Sequence, residues 1–165
     1  MKTIFPHITV MGERAILIEF AAEIDEKLLE RLLFYKNLLL QNYIKENVEI
    51  TNTYTSLLIF YNLDIENIYD EVLVVKALLE EANIVKNLAC KIYHIPVCYE
   101  AEFGIDLVYI SEAKNLTVEE IIMRHRAPIY TVFFIGFLPG FLYLGGLDGS
   151  LQIPRKNTPR KRVEK

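Results

Sequence analysis

The sequence predicts an α+β fold, and three observations carry that prediction. Two segments place apolar residues every three to four positions, the period of an amphipathic helix. Short runs of alternating apolar and polar residues lie before, between and after them. The 165 residues are 52% hydrophobic with only 7 Gly and 6 Pro, a composition that excludes disordered and low-complexity classes and that allows roughly 70% of the chain's surface to be buried.

The first strand is expected over residues 14–20 (RAILIEF), with Ile16, Ile18 and Phe20 on one face. A helix follows, opened by Asp25 as N-cap and carrying Leu28, Leu32, Tyr35, Leu39 and Tyr43 in one stripe. Residues 48–52 and 55–61 read as two strands of a hairpin turning near Asn52 and Thr53. The second helix carries Ile65, Ile68, Val72, Val75, Leu79 and Ala82 and ends near Asn83. Residues 88–97 read as a last strand, placed at an edge because Pro96 cannot donate to a ladder. The order is βαββαβ, the split-βαβ arrangement of ferredoxin-like folds, over residues 1–95.

After Pro96 the texture changes. Residues 102–114 and 117–125 are expected as short helices, the second opened by a capping box between Thr117 and Glu120. Residues 130–135 read as a strand. Leu138, Pro139, Gly140 and Phe141 fit a type II turn, with Gly where φ must be positive. A turn at Asp148 and Gly149 is expected to join 143–147 with 151–154 as a hairpin.

Charge and cysteine usage narrow the function. Eighteen basic and 22 acidic side chains give −4 overall, but residues 155–165 hold six Lys/Arg and one Glu. The remaining 12 basic and 21 acidic residues make the body about −9, so nucleic acid is not expected as a partner. The +5 tail either attracts phosphates or is a solvated terminus. Cys90 and Cys98 lie on one extended stretch and read as reduced core thiols, consistent with the cytoplasm. The N-terminus lacks the pattern of a signal peptide. Residues 129–147 are nineteen without a charge, yet Pro139 and four glycines argue against a membrane helix.

Dinucleotide, P-loop, zinc-protease and nucleophile-elbow motifs are absent, and no Cys/His spacing suggests a metal site. Five of the seven glycines fall in residues 136–149 (GFLPGFLYLGGLDG). Such a loop either brings bare backbone N–H groups to a ligand or forms tight turns against a core. Glu102 and Asp106, four residues apart, share a face if a helix starts there; they either contact a substrate amide, act as a base, or complement the helix N-terminus. His125 either titrates near neutrality or caps its helix C-terminus.

Four blocks, MGERAILIEF (11–20), YTSLLIFY (54–61), PVCYEAEFGIDL (96–107) and FFIGFLPGFLYLGGLD (133–148), resemble those of the allophanate hydrolase subunit 1 family. That family includes the B-type component of bacterial ATP-dependent 5-oxoprolinase and KipI-type inhibitors of sporulation histidine kinases. The resemblance implies a ferredoxin-like domain followed, over residues 96–165, by the start of a cyclophilin-like β-barrel. It implies an ATP-dependent opening of 5-oxoproline to glutamate with C-type and A-type subunits, ATP being bound by the complex, or alternatively inhibition of a sensor histidine kinase. Related urea carboxylase and allophanate systems act on amides of similar size.

The candidate residues are Glu102, Asp106 and His125 for catalytic polar contacts, and Gly136, Pro139, Gly140, Tyr143, Gly145 and Gly146 for a shaped substrate loop. Arg155, Arg160 and Arg162 are candidates for a substrate carboxylate or phosphate. Two departures from the family pattern are Glu100 and Ala101 in place of two glycines, and Leu142 in place of Pro. The family pattern continues beyond residues 158–163, so the barrel is expected to be incomplete. Phe137, Phe141, Leu142, Tyr143 and Leu144 are then expected to be exposed and to favour self-association.

Overall fold

A computed structural model describes residues 5–20, 23–42, 48–82, 90–158 and 160. The elements are β1 (His7–Val10), β2 (Ala15–Glu19), α1 (Glu26–Asn42), β3 (Val48–Asn52), β4 (Ser56–Tyr61), α2 (Ile68–Glu81), α3 (Leu107–Lys114), α4 (Val118–Arg126), β5 (Thr131–Ile135) and β6 (Leu142–Gly145). A 3-10 turn follows at Gly149–Leu151. The class is α+β, with an antiparallel sheet in the order β1-β2-β4-β3, a second sheet of β5 and β6, and four helices among the described residues. The chain divides into two compact units, Met1–Cys90 with Phe133–Leu142, and Lys91–Val132 with Tyr143–Lys165.

In the first unit the register pairs Ile16 with Ile59, Ile18 with Leu57 and Ile50 with Ile59. Period-2 alternation therefore turns these five side chains to one face, where all are buried. The stripe of α1 (Leu28, Leu32, Tyr35 and Leu39) and that of α2 (Val75 and Leu79) belong to the same core cluster. Each such large side chain contributes roughly 1.5–3 kcal/mol by leaving water. As expected, Asp25 opens α1, its Oδ1 accepting from the Leu28 N–H at 2.7 Å. The second helix starts at Ile68 rather than Ile65 because Asn67 is its N-cap, accepting from the Tyr69 N–H. Burial in this core pushes the Tyr61 phenol up to about 12.

One strand is not where the sequence places it. Of the expected strand over 88–97, residues 88 and 89 lie outside the described residues, and 90–97 carry no strand. The edge beside β2 is held instead by β1, paired antiparallel from His7 with Glu19 to Val10 with Ile16. Gly12, at φ +66°, supplies the left-handed residue that the β1–β2 turn requires, and the Met11 N–H reaches the Ala15 carbonyl at 2.8 Å. The described order is thus ββαββα, a hairpin and a helix given twice. Cys90 and Cys98 are exposed, which corrects their reading as core thiols.

In the second unit α3 begins at Leu107, five residues later than expected, after turns over 101–106. The capping box of α4 forms as its sequence predicts: the Glu120 N–H donates to Thr117 Oγ1 at 3.2 Å, and the Thr117 N–H donates to Glu120 Oε2 at 2.8 Å. The hairpin expected between 143–147 and 151–154 is absent. Asp148 accepts from the N–H and hydroxyl of Ser150 at 2.8 and 2.7 Å, which folds the chain into the 3-10 turn and buries Leu151. Among the described residues no helix is long and apolar enough to cross a membrane.

Candidate functional site

The best-organised polar group of the second unit surrounds His125. This residue lies in the last turn of α4, which the Ala127 N–H closes by donating to the Met123 carbonyl. The Tyr99 hydroxyl stands 2.6 Å from His125 Nδ1, and the two rings meet edge to face with centroids 5.8 Å apart. Five residues further along the chain, Tyr130 donates its hydroxyl to the His125 carbonyl at 2.7 Å, its ring 5.7 Å from the imidazole. The imidazole therefore does not cap its own helix. Tyr130 satisfies that carbonyl, while the ring nitrogen is engaged by Tyr99.

Gly146 belongs to the same neighbourhood. Its φ is +102°, and a Cβ there would lie 3.3 Å from the Ile129 carbonyl oxygen and 3.8 Å from Tyr130 Cα. A side chain would force this close approach apart. The Asp148 carboxyl is held below the usual carboxylate range by the Ser150 hydroxyl and N–H, with a smaller contribution from Arg124. Arg124 in turn donates to Ser150 Oγ at 2.9 Å. Burial raises the Tyr130 phenol, helped by Tyr99 and Asp148. Tyr99, His125 and Tyr130 thus form one hydrogen-bonded group, and the Gly146 backbone closely approaches Tyr130.

A second cluster forms around Asp106. This residue precedes α3 but makes no capping bond. Its carboxylate accepts two bonds from the Arg160 guanidinium, at 2.7 and 2.5 Å, and lies 2.6 Å from Lys156 Nζ. Lys156 also sits over the Tyr109 ring, 5.5 Å from its centroid. The Arg160 and then the Lys156 bonds hold the Asp106 carboxyl well below the usual range. In this arrangement Asp106 is a counter-ion that ties Lys156 and Arg160 to the start of α3. Glu102 is exposed in the preceding turn, so the two carboxylates do not share a helix face. Arg155 is exposed, and Arg162 lies outside the described residues.

The remaining loop candidates build a tight hairpin end. The Phe141 N–H donates to the Leu138 carbonyl at 3.0 Å and Gly140 takes φ +80°, the type II turn that Pro139-Gly140 predicts. The Gly136 N–H donates to the Phe141 carbonyl at 3.1 Å. The Leu138 N–H reaches back to the Gly136 carbonyl at 2.7 Å across Phe137, which is held at φ +62° and is 82% exposed. That is a γ-turn of the strained hand. Phe141 and Leu144 are exposed as expected, whereas Leu142 and Tyr143 are half-buried. Gly136, Pro139 and Gly140 fall in the first unit, and Tyr143, Gly145, Gly146 and His125 in the second. Among the described residues no group of His, Cys, Asp and Glu is placed to hold a metal ion.

Tyr99 and Tyr130 are absent from the sequence-derived candidates. Tyr99 stands inside the PVCYEAEFGIDL block, and Tyr130 follows His125 at the distance needed to reach back to a helix end. Those are the signals the sequence offers for them. Lys156 carries none beyond its place in a basic tail.

The chain is similar to known proteins along most of its length. The family model of the carboxyltransferase domain, subdomain C and D, matches residues 6–165. The B-type component of the 5-oxoprolinase of Bacillus subtilis (strain 168) is 31% identical over 174 residues, covering 98% of this chain and 71% of the relative. That of Haemophilus influenzae (strain ATCC 51907 / DSM 11121 / KW20 / Rd) is 52% identical over 66 residues, 40% of this chain and 31% of the relative. The crystal structure of TTHA0988 superposes with a TM-score of 0.74 at 26% identity, over 91% of this chain and 29% of that one. The chain therefore spans less than a third of that structure. It belongs to the carboxyltransferase-domain family of subdomains C and D, the family of allophanate hydrolase subunit 1 and of the B-type component of 5-oxoprolinase.

Proposed function

We propose that this chain is the B-type component of a bacterial ATP-dependent 5-oxoprolinase, which opens the lactam of 5-oxoproline to glutamate together with C-type and A-type subunits. The observation that carries the reading is the similarity to the Bacillus subtilis relative along 98% of the chain. On this reading the four-stranded sheet and its two helices are the family's ferredoxin-like unit, with β1 at the edge expected for the last strand. Residues 96–165 are the start of the cyclophilin-like barrel.

Lactam opening breaks the ring C–N bond and adds water across it, so the site must stabilise charge on the carbonyl oxygen and exchange a proton at nitrogen. Tyr99, His125 and Tyr130, with the Gly146 backbone close to Tyr130, supply hydrogen-bonding groups for a small amide. ATP supplies the driving force within the complex. This sequence has no recognisable phosphate-binding motif, and on this reading ATP is bound by the complex. The same reading puts the protein in the cytoplasm.

The test is glutamate release from 5-oxoproline, measured with and without ATP and the C-type and A-type subunits. Turnover is expected only in the full assembly. Turnover by this chain alone overturns the partner requirement. An inactive assembly, with inhibition of a sensor histidine kinase by this chain, would favour the kinase-inhibitor alternative.

A further inference from the structure

We infer that Tyr99 is a positioning residue that locks the His125 imidazole as its Nε2–H tautomer. The Nε2–H is then the donor offered to the carbonyl oxygen of a small amide or lactam. The substrate half of this inference rests on the function proposed above; the tautomer half does not.

The chemistry of the two groups favours one direction for the Tyr99–His125 bond. A bare ring nitrogen of neutral imidazole is a much better acceptor than a phenol oxygen, and a phenol O–H is a better donor than a neutral imidazole N–H. The proton stays on the Tyr99 oxygen and is donated to Nδ1. The 2.6 Å separation agrees with a hydroxyl donor, since an imidazole N–H donating to oxygen prefers about 2.9–3.0 Å. With Nδ1 accepting, a neutral imidazole must carry its hydrogen on Nε2.

The ring cannot readily turn to exchange its nitrogens. Tyr99 meets it edge to face and Tyr130 packs at 46° to it, while the Tyr130 hydroxyl fixes the backbone carbonyl of the same residue. His125 is half-buried, and among the described residues Nε2 has no protein partner. The neighbouring charges are already engaged, Arg124 with Ser150 and Asp148 with Ser150, so neither competes for Nε2. A donor aimed at a carbonyl oxygen requires one tautomer, and a neutral imidazole is suited to stabilise developing negative charge there.

Two measurements test this. In 15N NMR of the 165-residue chain at neutral pH, His125 is expected to show Nδ1 unprotonated and Nε2 protonated, and Tyr99→Phe to give a mixture of both tautomers. A protonated Nδ1 in the wild type, or a single unchanged tautomer in Tyr99→Phe, overturns the role of Tyr99. In the assembled complex, Tyr99→Phe is expected to lower kcat about tenfold with KM within about twofold, and His125→Ala to lower kcat about 10²–10³-fold. His125→Gln, whose amide N–H can stand near the Nε2 position, is expected to recover at least about tenfold over His125→Ala. Equal loss in the Gln and Ala variants, or a fully active Ala variant, overturns the donor role. A wild-type assembly without turnover overturns the 5-oxoprolinase reading instead, and the NMR result on the chain alone still decides the tautomer.

Discussion

The two units hold themselves together by different means. In the first, Ile16, Ile18, Leu32, Leu39, Leu57, Ile59 and Val75 are completely removed from solvent. In the second, Ile121 and Leu151 are buried, while Ile92, Tyr93, Val108, Met123 and Ile129 remain mostly exposed. What the second unit has instead is polar: the Thr117 capping box, the Asp148–Ser150 turn, the Tyr99–His125–Tyr130 group and the Asp106 ion pairs. Burial of apolar surface is insensitive to pH and strengthened by many salts, whereas ion pairs at exposed positions weaken in salt. The first unit is therefore a scaffold, and the second is a set of adjustable tethers.

The sharpest way to break that contrast is to empty the two cores. Leu57→Ala is expected to cost about 3–5 kcal/mol in urea unfolding, and Leu151→Ala about 2 kcal/mol at most, because its surroundings can relax. Equal losses would mean that the second unit has a core of the same quality. Next in size is an alkaline effect confined to the first unit. The folded Tyr61 phenol ionises at about 12 against an ordinary 10.0, so its contribution is complete below pH 10 and disappears as pH rises through 12. The loss is at most roughly 2–3 kcal/mol, two units of 1.36 kcal/mol each before screening by solvent. An alkaline titration of Tyr61→Phe should lack it.

In the second unit Thr117→Ala removes the reciprocal cap of α4 and should cost about 1 kcal/mol, read as faster amide exchange in the first turn of that helix. The smallest effect is local. The folded Asp106 carboxyl titrates below its unfolded range, so its ion pairs are present above that range and are lost as pH falls through it toward the folded value. Amide protection around residues 156–160 should fall on acidification, in high salt and in Asp106→Asn, with little change in global stability. Protection that is unaffected by all three would show that these residues are held by something other than Asp106.

Features written within one turn of chain are legible in the sequence. The stripes of α1 and α2, the Asp25 cap, the Thr117 box and the Pro139-Gly140 turn all depend on residues a few positions apart. The strand expected over 88–97 rests on a loose alternation, and residues 7–10 have no strong period to announce β1. The 151–154 strand does not form because Asp148 has a local hydroxyl and N–H to bind at Ser150. The candidate site is legible in part: His125 and Gly146 stand out in the sequence and are neighbours of the same Tyr130. Tyr99 is marked there only by its place in the PVCYEAEFGIDL block, because it meets His125 across 26 residues and hydrogen bonds over that range leave no periodic trace.

One such long-range bond bears on how the chain is made. The buried Asn52 amide, which also accepts from Lys36 Nζ at 3.3 Å, donates to the Phe133 carbonyl at 3.0 Å over a separation of 81 residues. On a ribosome adding about 5–20 residues per second, Asn52 would wait on the order of 4–16 s for its acceptor to be synthesised. The hairpins β1–β2 and β3–β4 need only local closure and can pair within that interval, since nearby contacts form before distant ones repay their loop entropy. In the nascent sheet the amide donor at the end of β3 has only water as its partner until Phe133 emerges. Translation speed between those two codons sets how long that donor stays open to water or to a wrong neighbour.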